Sequence, residues 1–341
     1  MISPDSAPGA VRPKRWALIA VALFGLSLVI MPIGFKMFSA APQGAVMISQ
    51  FKPFMTTARL DGFQTDLREI NAGVRQSDTQ VAAFLGGGSV NRAAFDSTYP
   101  TFTSFDQQWP AIDSRMTHLM NQVQGNLGNY LAVAALPSFR LFPWFFVIPG
   151  VLILGLALTA LRRPRLRPRS RWALVVLGVG LVAAPGIFQM FQRAPKGGQM
   201  MSAFKTIETT SNVEQIQGYF ATMAVGQGAI RLEIVPSLEH ARLTAAQINS
   251  AFPAVATLDA KWVHILNDMT PMIGAMSDNV TRYQAIAGLP PFPLFPWFFV
   301  TPGILVAGLA LAAGSGEKKR QKTKVPEDAH VRVAQFQGVS S

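Results

Sequence analysis

Four stretches of the chain carry no Asp, Glu, Lys, Arg or His: residues 16–35, 142–161, 172–191 and 295–314. Each is about 20 residues, which at about 1.5 Å rise per helical residue crosses a hydrocarbon core about 30 Å thick. One such run could be a buried soluble helix. Four of them, flanked by charges and aromatics, predict four transmembrane helices. Between them lie two long segments, 36–141 and 192–294, with apolar residues at three- and four-residue steps. Phe63, Leu67, Ile70 and Val74 form one stripe, and Phe105, Trp109, Ile112, Met116 and Leu119 a second. The later segment repeats both, with Val213, Ile216, Phe220 and Met223, then Leu258, Trp262, Ile265, Met269 and Met272/Ile273. Such periodicity predicts amphipathic helices. The first stripe is read as one helix beginning at Phe51, the second as one helix reaching Tyr130. A less regular stretch, 76–100 and 229–253, lies between them and is read as holding one short helix. It contains Gly86-Gly87-Gly88 in one segment and the capping-box pattern Thr244-Ala-Ala-Gln247 in the other.

The chain also repeats itself. The sequence Leu-Phe-Pro-Trp-Phe-Phe-Val at 141–147 returns at 294–300, 153 residues later. The same spacing carries Pro32 onto Pro185, Met37-Phe38 onto Met190-Phe191, Phe51-Lys52 onto Phe204-Lys205, and Tyr130 onto Tyr283. It also carries Asp106 and Trp109 onto Asp259 and Trp262. An ungapped match of this length predicts a tandem duplication. The fold class expected is therefore all-α: an integral membrane protein with four transmembrane helices. Its duplicated unit is transmembrane helix, extracytoplasmic helical hairpin, transmembrane helix. Because each unit has an even number of spans, the copies enter the membrane the same way round, and a parallel pseudo-two-fold axis should relate them. One outer bundle built from both copies is the cheapest way to cover their apolar faces; the alternative is packing on a second chain.

Charge sets the expected orientation. Arg12, Lys14 and Arg15 precede the first span. Six arginines, from Arg162 to Arg171, occupy the hinge between spans two and three, and five Lys/Arg follow span four at 318–324. The long segments are nearly neutral, with eight basic and seven acidic residues in 36–141 and seven of each in 192–294. The positive-inside rule then puts both termini and the hinge in the cytoplasm and both long segments outside a cytoplasmic membrane. The expected organisation is a cytoplasmic tail 1–15, span 16–35, outer domain 36–141, span 142–161, hinge 162–171, span 172–191, outer domain 192–294, span 295–314 and basic tail 315–341. The formal charge of +12 is thereby a topology signal, and nucleic acid is not an expected partner. Anionic lipid head groups at the hinge and tail are. The apolar run at 16–35 is read as a retained signal anchor, because its duplicate lies mid-chain. The composition agrees, at 50% hydrophobic residues, 14% charged residues and a mean hydropathy of +0.28. There is no Cys, so packing alone must hold the outer segments.

Within the spans, Trp16, Trp144, Trp172 and Trp297 sit at the expected membrane–water boundaries as interface anchors. Pro149 and Pro302, each followed by Gly, are expected to bend spans two and four. Gly25, Gly155, Gly178, Gly180, Gly186 and Gly308 would let helices approach closely. Arg-Trp-Ala-Leu recurs at 15 and 171, three residues off the 153 spacing, so the third span should be almost one turn shorter than the first.

Candidate chemistry is sparse. His118, His240, His264 and His330 form no metal motif, and no nucleophile elbow, phosphate loop or paired carboxylate motif occurs. The expectation is no enzyme, no catalytic residue, no cofactor and no metal. Asn279-Val-Thr281 is a formal glycosylation sequon. The spans hold no ionisable group, which disfavours an ion-coupled carrier. Asp106/Trp109 and Asp259/Trp262 are candidate partner-binding residues, with Trp as anchor; the competing assignment is that both tryptophans are core. The Met-rich stripes could form a groove for a lipid or apolar peptide. The function expected is a cell-envelope scaffold or accessory subunit working with a protein partner or as a homo-oligomer. A component that binds or conducts a lipid or hydrophobic solute is the alternative, and a membrane sensor comes third. A ten-residue hinge and a short tail offer a sensor little output.

Overall fold

The computed structural model describes residues 15–163, 165 and 167–313. The expected tails, with Arg12, Lys14 and the basic residues at 318–324, lie outside the described residues, as does His330. The protein is all-helical, 87% helix, with no strand among the described residues. In chain order the helices are α1 (Arg15–Gly34), α2 (Met37–Phe51), α3 (Thr57–Gln76), α4 (Ala82–Leu85), α5 (Arg92–Thr98), α6 (Pro100–Gly125), α7 (Leu127–Ala134) and α8 (Phe142–Arg162). There follow α9 (Arg167–Ile187), α10 (Met190–Phe204), α11 (Thr210–Ala229), α12 (Val235–His240), α13 (Ala245–Ala251), α14 (Pro253–Ala287) and α15 (Trp297–Ala312). Two π-helical turns, Ser77–Val81 and Ile230–Ile234, follow α3 and α11. Short 3₁₀ turns, Phe139–Leu141 and Phe292–Leu294, precede α8 and α15.

These elements fall into two compact units. One holds the described parts of Met1–Phe38, Leu141–Phe191 and Leu294–Ser341; the other is Ser39–Arg140 with Gln192–Pro293. The first contains four helices long and apolar enough to cross a membrane: Arg15–Gly34, Phe139–Arg162, Arg167–Ile187 and Phe292–Ala312, counting the 3₁₀ turns. Large apolar side chains cover the outer faces as well as the inner ones. On α1, Ile19, Leu23 and Ile30 are exposed while Leu18, Val21 and Leu28 are buried. Water does not tolerate so much continuous apolar surface, whereas hydrocarbon does.

Helix α1 packs on α8 and α9 on α15, with α8 against α9 and α1 against α15. The pairs close on glycine. A Cβ on Gly25 would lie 2.9 Å from the Gly150 carbonyl oxygen, and one on Gly178 would lie 2.7 Å from that of Gly303. Backbones that approach this closely leave no room for a side chain, and dispersion contacts replace it. Gly150 and Gly303, expected only to soften a proline bend, are thus the partners of Gly25 and Gly178. Gly155, Gly180, Gly186 and Gly308 have no neighbour that a Cβ would meet, which corrects their expected interface role. Helices α8 and α15 continue through Pro149 and Pro302. From Trp172 to its end at Ile187 helix α9 has 16 residues, against 19 from Trp16 to Gly34 in α1, and the arginine-bearing turn before Trp172 brings its whole length to 21. Both α1 and α9 stop two residues after a proline, Pro32 and Pro185, and Lys36 and Gln189 take left-handed φ values of 52° and 53°. That conformation terminates the helix and lets the next one start. Phe142 meets Phe295 edge-on at 5.1 Å, and Phe146 stacks on Phe299 at 4.8 Å.

In the second unit α3, α6, α11 and α14 pack side by side, each touching its own hairpin mate and one long helix of the other segment. Helix α3 lies against α14 and α6, and α11 against α6 and α14. Trp109, Trp262, Phe63, Phe102 and Phe105 fill the interior. Two close approaches fix the register. Gly73 admits the Leu258 side chain where a Cβ would sit 2.4 Å away, and Gly226 admits the Phe105 ring at 2.6 Å. The open N-termini of the long helices are capped from the opposite segment. Gln76 Oε1 accepts from the Ala254 and Val255 amides at 2.8 and 3.0 Å, and Glu233 Oε2 accepts from the Phe102 amide at 3.0 Å.

Local chemistry explains three departures from the expected helices. The first stripe is two helices, not one: Pro53 cannot donate, α2 stops at Phe51, and Thr56 caps a fresh start by accepting from the Arg59 amide. In the later segment the same break occurs without proline, with Thr209 accepting from the Asn212 amide. Helix α6 ends at Gly125, with Asn126 as its C-cap, so Tyr130 belongs to α7. Helix α14 runs unbroken for 35 residues. Each stretch between the long helices, expected to hold one short helix, holds two, α4 and α5 in one segment and α12 and α13 in the other, and the capping box at Thr244 and Gln247 is present.

Candidate functional site

Two apolar clefts flank the second unit, one in each segment. The first, about 500 Å³, lies between α2 and the α7 end. Ile48 comes from α2 and Lys52 from the turn just after it, Tyr130 and Val133 from α7, and Leu136 and Phe139 from the chain that follows. The second, about 470 Å³, is lined by Met201, Lys205, Tyr283, Ile286, Leu289 and Phe292. Every one of these six stands 153 residues after its counterpart. Each cleft is braced by its tyrosine. The Tyr130 hydroxyl donates to the Ile48 carbonyl at 2.6 Å, and the Tyr283 hydroxyl donates to that of Met201 at 2.6 Å. Burial pushes Tyr130 up to about 12. It raises Tyr283 too, with the neighbouring Glu208 carboxylate adding to the effect. Both hydroxyls therefore stay protonated donors at neutral pH. Lys52 and Lys205 are exposed, and no acidic side chain lines either cleft.

The centre of the second unit is closed. Met116, Met120, Met200, Met269, Met272 and Met276 are all buried. Only about 20 Å³ is free among Phe54, Met120, Phe204 and Met276. The expected Met-lined groove is thus core, because the apolar faces of both segments meet there and exclude a solute. A polar cavity of about 320 Å³, with Arg115, His118, Gln122 and Asn212 on its walls, sits between α6 and the start of α11. The counterparts of Asn212 and Arg115 in the other segment, Arg59 and Asp268, form an ion pair at 3.1 Å.

Trp109 and Trp262 are 2% and 0% exposed, with Phe105 packed 5.6 Å from each ring. They are not surface anchors, and the partner-binding assignment gives way to core packing. Asp106 is committed as well. It pairs with Arg92 at 3.0 Å, and Arg92 also holds Asp96 at 3.0 Å and Asp78. Asp259 is half-buried, and the residue in the place of Arg92 is Ala245, so the ion cluster has no counterpart. A second consequence of divergence concerns the indoles. Trp109 donates to Asn71 Oδ1 at 3.3 Å, whereas Ala224 stands in the matching position and the Trp262 N–H has no hydrogen-bond partner.

Trp16, Trp144, Trp172 and Trp297 are between 50% and 59% exposed, as groups facing a lipid boundary would be. Asn279 is fully buried and donates to Gln50 Oε1 and the Ala275 carbonyl. The sequon is therefore inaccessible in the fold. No cluster of His, Asp or Glu suited to a metal occurs among the described residues.

One residue escaped the sequence reading. Glu208 is 2% exposed, both its carboxylate oxygens lack a hydrogen-bond partner, and burial pushes it up to about 8. The signal was available, since Glu208 occupies the place of Met55, itself 3% exposed. No protein family, curated protein or solved structure matches this chain.

Proposed function

We propose that the chain is a non-enzymatic, four-span protein of the cytoplasmic membrane, a scaffold or accessory subunit whose second unit lies outside the membrane and engages a protein or envelope partner. The observation that carries this reading is the interlocked core of the second unit. Gly73 against Leu258, Gly226 against Phe105, and helix N-termini capped across segments make one rigid body with a closed centre. Such a body suits a platform better than a channel or a lid. The uncharged spans point the same way, because they offer nothing to carry an ion.

The same contacts support a tandem duplication with a parallel pseudo-two-fold axis in each unit. Reciprocal pairs such as Gly73–Leu258 and Phe105–Gly226 are what a two-fold generates. Phe142–Phe295, Phe146–Phe299 and Phe139–Phe292 each join a residue to its own duplicate, as happens only on such an axis. The Lys/Arg asymmetry supports cytoplasmic termini and hinge.

The test uses the absence of native Cys, which makes single-cysteine scanning clean. Cysteines replacing Gly87 and Arg242 should label with a membrane-impermeant maleimide from outside, and one replacing Arg165 only after the membrane is opened. Crosslinkers placed at Gly87 and Arg242 should then capture the same partner from native membranes. Labelling of position 87 or 242 on the face of position 165, or no shared crosslink, refutes the reading. A second reading, lipid binding, is favoured by the twin clefts alone.

A further inference from the structure

The chemistry of the clefts names their occupant. We propose that each seats one acyl chain of an anionic membrane phospholipid, with the lysine ammonium against the lipid phosphate. This rests on the reading of the chain as membrane-embedded. Volumes of about 500 and 470 Å³ lie within the range of about 300–1,000 Å³ typical of small-molecule sites. Apolar side chains make most of each wall, and the tyrosine hydroxyl is already committed to a backbone carbonyl. A sugar or an extended peptide would bury more hydroxyls or amides than the few wall hydroxyls, Ser49, Thr56 and Ser138 in one cleft and Ser202 in the other, can receive, and that burial is costly. An acyl chain has no such groups.

Charge completes the match. Lys52 and Lys205 are in no ion pair among the described residues, and no acid lines either cleft to compete for them. Both lysines and both tyrosines recur at the 153-residue spacing, although neighbouring wall positions have diverged: Leu131 is replaced by Gln284 and Ser138 by Pro291. Ser49/Ser202, Leu136/Leu289, Pro137/Pro290 and Phe139/Phe292 are kept with them, so each wall is mainly apolar and the lysine is its one charged group. Along the chain, Phe139 and Phe292 stand three residues before Phe142 and Phe295, where the uncharged stretches begin. The bilayer is therefore the source of the ligand.

The experiment places the full chain in nanodiscs of equal phosphatidylglycerol and phosphatidylcholine, extracts it in mild detergent, and reads retained lipid by native mass spectrometry. Two phosphatidylglycerol molecules per chain are expected. Lys52→Glu with Lys205→Glu should lower their retention about fivefold per site, the factor one interfacial lysine supplies. Ile48→Trp with Met201→Trp, which fills the clefts, should abolish retention while the melting curve stays cooperative. Equal retention of both lipids by the parent chain, retention unchanged in either variant pair, or a co-purified fatty acid or peptide in place of phospholipid would overturn the proposal. These outcomes leave the cysteine scan untouched, so its failure and this one are told apart.

Discussion

Replacing Glu208 by Met should stabilise the protein, and the gain should depend on pH in a specified way. The carboxyl is 2% exposed, with no hydrogen-bond partner for either oxygen, and burial lifts it from an ordinary 4.5 to about 8. At about 1.36 kcal/mol per pKa unit, the ionised form is disfavoured in the fold by about 5 kcal/mol. The sign is the reverse of the usual carboxylate case. The folded pKa stands above the unfolded one, so folding takes up a proton, and stability is lost as pH rises from about 4.5 to about 8. Below that window both states are protonated and the ionisation penalty vanishes, leaving only the pH-independent cost of burying two unpartnered oxygens. At pH 7 the unfolded chain has ionised and the folded one has not, which costs about 3 kcal/mol. Met55 shows that the equivalent pocket accepts a methionine, being 3% exposed there. The pH-dependent part of the Glu208→Met gain should therefore be about 3 kcal/mol at pH 7, little near pH 5, and about 5 kcal/mol above pH 8. Denaturant melts of the full chain in detergent micelles across that pH range measure the difference. Glu208→Gln serves as a control that cannot ionise but still buries polar atoms. A gain that does not change with pH, or a variant less stable than the parent at pH 8, refutes the reasoning and means that the carboxylate has a partner.

Two further substitutions test the packing. Gly150→Ala would place a Cβ 2.8 Å from the Gly25 carbonyl oxygen, and Gly303→Ala one 2.7 Å from that of Gly178. Each should cost about 1–3 kcal/mol by overpacking, whereas Gly155→Ala, with open space, should be neutral in the same melts. Ala224→Asn supplies the Trp262 indole with the acceptor that Asn71 gives Trp109. It should stabilise by about 1 kcal/mol, and Trp262→Phe in that background should remove the gain. A gain that survives Trp262→Phe would show that the new amide bonds elsewhere.

The helices of the first unit were legible in the sequence because length and unbroken apolarity decide membrane insertion without reference to any neighbour. The amphipathic stripes gave the helical character of the second unit for the same local reason. Both placed Trp109 and Trp262 on the apolar face, and burial made them core. The breaks at 52–56 and at Asn126 were missed, since hydrophobic period continues across them while capping and a missing amide stop the helix.

The sequence by itself determined four apolar helices long enough to cross a membrane and two amphipathic pairs between them, because each is a property of residues near one another along the chain, and its 153-residue recurrence is legible without any coordinates. Only the tertiary structure decided which glycines touch, which helix caps which, and that two clefts stay open while the centre shuts. Those depend on side chains separated by more than a hundred residues meeting within a few ångströms. The isolation of Glu208 is of this kind: nothing near it in sequence says that no donor will reach it.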